Sequence, residues 1–167
     1  RYLEEIRRET DLPLLRKDFT VDEYQIYEAK VLGASAVLLI CSLLDMEQLK
    51  RYMGICGSLG LSSLVEAHTD GEVAMAAEAG AGMIGINNRN LGTFEVDFTN
   101  ALRLRRLVDR GTIFVAESGI RTAKDIKALA EAQVNAVLIG ETLMRAPDRK
   151  MALAGLRGNE GAIPIRS

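Results

Sequence analysis

Five short runs in this 167-residue chain carry side chains suited to acid–base work or to gripping an anion. In Leu15-Arg16-Lys17-Asp18-Phe19 a lysine stands where a predicted strand leaves the sheet, and a lysine acts as a general acid once burial or neighbouring cations lower its pKa towards neutrality. The plainer alternative for Lys17 is a surface lysine. Val65-Glu66-Ala67 places a carboxylate at the end of another apolar run. Facing a lysine across a pocket mouth, Glu66 makes an acid/base pair; otherwise it caps a loop or pairs with an arginine. Ile86-Asn87-Asn88-Arg89-Asn90 is denser in polar groups. Asparagine holds substrate hydroxyls and arginine forks onto a carboxylate, although asparagine-rich turns are also common. Glu117-Ser118-Gly119-Ile120 and Leu138-Ile139-Gly140-Glu141-Thr142 each bring a glycine between an apolar run and a helical stretch. Backbone N–H groups bared by glycine ahead of a helix cradle phosphate. The single histidine, His68, is expected in a loop or helix start and is assigned no chemistry, and Cys41 and the methionines read as core filling.

The elements that must position these groups show in the periodicity. Apolar, β-branched runs at 13–16, 36–40, 63–66, 83–87, 113–117 and 136–139 predict strands. Amphipathic stretches at 22–32, 45–59, 70–79, 97–109 and 122–132 predict helices between them, with partial helices before the first strand and after the last. Gly33-Ala34, Gly80-Ala81 and the related Val134-Asn135 mark helix ends, where glycine takes a positive φ cheaply. Asp22, Asp45, Thr69 and Thr122 are expected to cap helix starts.

Strands flanked by helices, with near-continuous apolar runs such as Val37-Leu38-Leu39-Ile40, imply a parallel sheet covered by helices. No G-x-G-x-x-G run stands between a predicted strand and the helix that follows it, which disfavours a doubly wound dinucleotide fold. All five polar runs sit at or just past a strand's C-terminal end, the face on which (β/α)8 barrels build their active sites. Exposure of loops would make some strand ends polar anyway, but five together favour a site. The expected fold is therefore α/β, a (β/α)8 TIM barrel represented by about six βα units. One domain over 1–158 is expected, with a tail at 159–167.

Composition narrows the partner. With 48% apolar and 26% charged residues the chain reads as globular, and a net charge of −2 offers no basic stripe for nucleic acid or anionic lipid. Two cysteines without metal-ligand spacing, and no signal-peptide core, predict a reducing, cytoplasmic setting with no membrane span and no metal. A phosphorylated small molecule is the expected partner. The chain starts at Arg1 without an initiator methionine, which predicts that an N-terminal portion has been cut away.

The motifs Leu-Arg-Lys-Asp-Phe at 15–19, Leu-Val-Glu at 64–66, Gly-Ile-Asn-Asn-Arg-Asn-Leu at 85–91, Glu-Ser-Gly-Ile at 117–120 and Leu-Ile-Gly-Glu-Thr-Leu-Met at 138–144 stand in an order that resembles indole-3-glycerol-phosphate synthase. The resemblance runs over residues 2–156. It implies that Lys17 is the general acid of ring closure, Glu66 the acid/base residue of dehydration, and Asn87 its neighbour holding substrate hydroxyls. It implies further that Arg89 orients the anthranilate part and Glu117 the substrate backbone, while Phe19 and Leu38 wall the aromatic ring. Ser118, Gly119, Gly140 and Glu141 fall at the phosphate, chiefly through backbone N–H groups, and Glu141 stands where the family also has small residues. No metal or organic cofactor is implied. The family's first strand carries Glu-x-Lys-x-x-Ser-Pro-Ser, which this sequence lacks, so the first two strands of the barrel are expected to be missing. Two readings follow: a synthase fragment, or a truncated barrel that binds phosphate weakly or associates with itself across the open seam or with a bound N-terminal piece. Another phosphosugar barrel, such as an isomerase, fits the Asn-Asn-Arg-Asn run poorly.

Overall fold

The computed structural model describes residues 2–90 and 92–158, so the tail expected at 159–167 lies outside the described residues. After helix α1 (Tyr2–Glu9), strands β1 (Leu15–Arg16), β2 (Ala36–Ile40), β3 (Ser62–Ala67), β4 (Met83–Asn87), β5 (Ile113–Glu117) and β6 (Ala136–Leu138) alternate with helices. These are α2 (Tyr24–Val31), α3 (Met46–Ser58), α4 (Asp70–Glu78), α5 (Thr99–Leu104) and α6 (Ala123–Glu131), followed after β6 by α7 (Glu141–Arg145) and α8 (Arg149–Leu156).

Every strand pairs in parallel with the next, giving the spatial order β1-β2-β3-β4-β5-β6. A right-handed crossover repeated in one direction keeps every helix on the same face of the sheet. The packing follows. One core joins alternate strand residues, Val37, Leu39, Val65, Ile84, Ile86 and Phe114, to helix residues such as Ile26, Leu49, Val73, Leu104 and Leu129. The other face holds only strand residues, Leu38, Ile40, Leu64 and Val115, with Leu15, Met83 and Leu138 at their margin. This is the wall of a barrel seen from inside and outside: a singly wound half-barrel, as the strand and helix spacing predicts. Burial of the helix-side residues supplies most of the cohesion, about 1.5–3 kcal/mol for each large apolar side chain.

Several local expectations shift. The first and last strands are shorter than predicted, because Pro13 has no N–H for a ladder and Leu14 instead accepts from Ser35 and Ala36 N–H through its carbonyl. The 97–109 helix breaks into α5 and a 3-10 turn, Arg105–Leu107. Asp45, Thr69 and Thr122 cap α3, α4 and α6 by accepting the N–H of Gln48, Glu72 and Asp125. Asp22 instead accepts from Tyr24 N–H at 2.8 Å, and the N-cap position of α2 belongs to Glu23. Gly33 and Gly80 take the positive φ at their helix ends, but at the third break Gln133 does so with φ 61°. Ile86 faces away from the barrel interior and packs with the helices. The inner-face leucines are less exposed than an open barrel suggests, Leu38 being 2% exposed, because the sheet's curvature crowds them together.

Candidate active site

The inner face changes character along each strand. Its lower half is the apolar floor of Leu38, Leu64 and Val115. One step towards the C-terminal ends, the same alternation delivers Glu66 from β3, Asn87 from β4 and Glu117 from β5, each under 8% exposed. In register, Asn87 sits opposite Glu117 and Glu66 opposite Gly85. Lys17, one residue past β1, reaches across with its Nζ 2.8 Å from Glu66 Oε2 and 3.2 Å from Glu117 Oε2. Asn87 donates from Nδ2 to Glu66 Oε1 at 3.2 Å and accepts the Arg89 N–H at 3.0 Å through Oδ1. The lysine and both carboxylates are thus one cluster, which Lys17, with its side chain 35% exposed, joins from the open side.

Electrostatics separate the two carboxylates. Burial pushes Glu117 up to about 7, with the nearby Glu66 charge adding to the rise and Lys17 opposing it. Burial acts on Glu66 in the same sense, but hydrogen bonds from Lys17 and Asn87 outweigh it and hold Glu66 below the usual carboxylate range. Two buried acids pushed apart in this way divide into an ionised and a protonated partner near neutrality. The sequence led us to expect a lysine with a lowered pKa. Burial does lower it, yet the charges of Glu117 and Glu66 together raise Lys17 above its ordinary value.

Next to this cluster lies a cavity of about 670 Å³, lined by Lys17, Arg89, Glu117, Ser118, Gly119, Gly140 and Glu141 among others. Consecutive positive φ angles at Ser118 (64°) and Gly119 (75°) turn the backbone after β5. Such a turn aims peptide N–H groups at one point. A Cβ on Gly119 would meet Val96 Cγ1 at 2.6 Å, so both the φ and the space require glycine. At the rim Arg89 Nη2 pairs with Glu141 Oε2 at 2.7 Å, and Arg145 Nε with Glu141 Oε1 at 3.1 Å. Leu38 lies in the floor below, and Phe19 stands 57% exposed in the loop after β1, outside the lining of this cavity. Among the described residues no group of three or more metal-ligating side chains is placed to hold an ion.

Four contributors were missed in the sequence. Asn88, 3% exposed, donates from Nδ2 to the Ser118 carbonyl and accepts the Ala101 N–H, so it clasps the strained turn after β5 to α5. Its place in the Asn-Asn-Arg-Asn run was the available signal. Gly85 leaves room for the Glu117 carboxylate, since a Cβ there would collide with Glu117 Oε1 and stand 3.1 Å from Leu64 Cδ1. Arg121 and Arg145 bring positive charge to the cavity wall. Nothing in the local sequence marks these three, because the contacts join separate βα units.

Comparison with known proteins agrees with this architecture. The family model described as indole-3-glycerol phosphate synthase matches residues 1–156. A protein of that name from Ruminiclostridium cellulolyticum is 58% identical over 158 residues, covering 95% of this chain and 61% of its own length. One from Lachnoclostridium phytofermentans is 55% identical over 156 residues, with 93% and 58% covered. The chain therefore spans less than two thirds of the curated relatives it matches. Among solved structures, 3-hexulose-6-phosphate synthase from Salmonella typhimurium superposes with a TM-score of 0.79 at 14% identity, over 94% of this chain and 77% of that one. The tryptophan synthase A-subunit from Pyrococcus furiosus gives 0.71 at 19% identity, over 93% and 71%. At those identities the superpositions speak for the barrel fold alone, whereas the match over nearly the whole sequence speaks for descent, and the chain belongs to the indole-3-glycerol phosphate synthase family.

Proposed function

We propose that these residues form the C-terminal six βα units of an indole-3-glycerol-phosphate synthase, a carbon–carbon lyase of tryptophan biosynthesis acting in the cytoplasm. It converts 1-(2-carboxyphenylamino)-1-deoxyribulose 5-phosphate into indole-3-glycerol phosphate, CO2 and water. The observation that carries the reading is Lys17 held between Glu66 and Glu117 at 2.8 and 3.2 Å on the inner face of the half-barrel.

In this reading the two carboxylates keep Lys17 in the ammonium form that a general acid needs at the start of the cycle. Lys17 protonates the ketone oxygen as the anthranilate ring carbon attacks and the new C–C bond forms. Loss of CO2 returns its bonding electrons to the ring and restores aromaticity. Glu66 then handles the proton transfer that expels the hydroxyl as water, with Asn87 fixing its carboxylate and the substrate hydroxyls. Arg89 faces the anthranilate part, Glu117 the sugar chain, and Leu38 and Phe19 the aromatic ring. The turn at Ser118 and Gly119, together with Gly140 and the residue after it, Glu141, receives the phosphate. Positioning and a fixed electrostatic field account for much of the rate in such a site.

The shorter span relative to the relatives favours a second reading beside the first: the 167 residues alone are a truncated barrel of little activity that binds phosphate or associates with itself. A chimera decides between them. The N-terminal part of the Ruminiclostridium cellulolyticum relative is joined ahead of Arg1 and assayed by indole fluorescence. Turnover by the chimera, lost by about 10²–10⁴-fold on Lys17→Ala, supports the proposal. A folded chimera that leaves the substrate untouched overturns it.

A further inference from the structure

His68 lies one residue beyond β3, two past Glu66, and its ring is wedged between two carboxylates. Nε2 stands 3.5 Å from Glu66 Oε1, and Nδ1 stands 3.2 Å from Glu72 Oε2. Glu72 is fixed in turn: it is the third residue of α4, its N–H bonds the Thr69 hydroxyl, and its Oε2 accepts the His68 N–H at 2.6 Å. Asn100 donates to the His68 carbonyl at 3.1 Å, closing the loop from the α5 side. Nε2 is buried and has no hydrogen-bond partner of good geometry, which is unusual for an imidazole nitrogen. The side chain is 13% exposed and lines a second cavity of about 740 Å³, separate from the one beside Lys17 and sharing Val96 as its wall.

We propose that His68 relays protons between Glu66 and solvent through Glu72 and this second cavity. The inference rests on the function proposed above. That reaction needs such a route: loss of CO2 from an ionised carboxylate together with loss of water takes up one proton per turnover. Glu66 is 1% exposed and lines neither cavity, and Lys17 and Asn87 cover its oxygens on the inner face. The opposite side is open through the imidazole. In the inward step, protonated Glu72 gives its proton to Nδ1, the ring passes its Nε2 proton to ionised Glu66, and Glu72 is left ionised. One N–H bond forms and one breaks on the ring, so charge on His68 is unchanged. Solvent entering through the second cavity resets the ring, taking the proton from Nδ1 and returning one to Nε2, and reprotonates Glu72, so that the net uptake is one proton per turnover. Glu72, with its side chain 21% exposed, exchanges with water. Other titratable groups near the relay among the described residues are Cys41, which feels the charge of both Glu72 and Glu66, and Glu95 and Asp97, which line the second cavity with His68.

The chain has a single histidine, so one imidazole spin pair reports on the relay without assignment ambiguity. On the 167-residue chain, NMR titration of the His68 nitrogens and the Glu66 carboxyl carbon should show Glu72→Gln shifting the Glu66 transition, and His68→Gln abolishing that response. A Glu66 transition indifferent to Glu72→Gln, or one that responds equally when His68 is glutamine, overturns the relay. In the chimeric barrel His68→Ala should lower kcat by at least ~10-fold with KM unchanged. Added imidazole, admitted by the second cavity, should restore it in proportion to concentration. Loss confined to KM, or absence of rescue, overturns the relay while leaving the synthase reading intact. A parent chimera without turnover overturns the synthase reading, and the NMR titration then decides the relay alone.

Discussion

Replacing Glu117 by glutamine should stabilise the protein at alkaline pH and leave it nearly unchanged at pH 5. Glu117 is 1% exposed and its acid form is favoured up to about pH 7 in the folded chain, chiefly by burial and then by Glu66. In the unfolded chain the group titrates near 4.5. A folded-state pKa above the unfolded one means that the folded state binds the extra proton between those values. Its contribution is whole below about pH 4.5 and is lost as pH rises through about 7. Two and a half pH units at 1.36 kcal/mol each come to about 3 kcal/mol, an order-of-magnitude ceiling because Lys17 relaxes with the charge. Glutamine keeps the shape and cannot ionise, so the variant should escape that loss. Urea denaturation followed by circular dichroism at pH 5 and pH 8.5, for parent and variant, gives the four free energies. The difference of differences isolates ionisation from any change in packing. An expected value of about 2–3 kcal/mol in favour of the variant at pH 8.5 is large against extrapolation error. A double difference near zero, or of opposite sign, would refute the claim that Glu117 is the acid held neutral. Turnover should fall in the same variant, the usual conflict between stability and a site that concentrates charge.

The remaining expectations are quicker to test. Gly85→Ala should cost about 1–3 kcal/mol in thermal melts, because the new methyl collides with the Glu117 carboxylate. Asn88→Ala leaves the Ser118 carbonyl and the Ala101 N–H without their partner and should lose about 2–4 kcal/mol by denaturant titration, together with product binding by calorimetry. Glu141→Ser should change stability by less than about 1 kcal/mol, since its pairs with Arg89 and Arg145 are half-exposed, yet tighten the product by freeing Arg89. Because β1 and β6 are the sheet edges among the described residues, the isolated chain is expected to elute as a species larger than 18.2 kDa in size exclusion with light scattering. A stable monomer without a second peptide would show that two very short edge strands are not enough to drive pairing.

What was legible in the sequence was whatever depends on neighbours along the chain. The near-continuous apolar run Val37-Leu38-Leu39-Ile40, the helix stops at Gly33 and Gly80 and the caps at Asp45, Thr69 and Thr122 each act within a turn or two, so six βα units and their order came through. The same alternation placed Lys17, Glu66, Asn87 and Glu117 at strand ends. Their charge states were beyond it: whether a lysine rises or falls depends on which side chains meet it from 49 and 100 residues away, and here two carboxylates outweigh burial. Gly85 shows its role only once the Glu117 side chain fills the space a Cβ would take, and His68 looked inert until α4 brought Glu72 to its far nitrogen. Local propensity fixes where a chain bends and pairs, while long-range packing decides the dielectric and the partners each polar group finds, and those decide the chemistry.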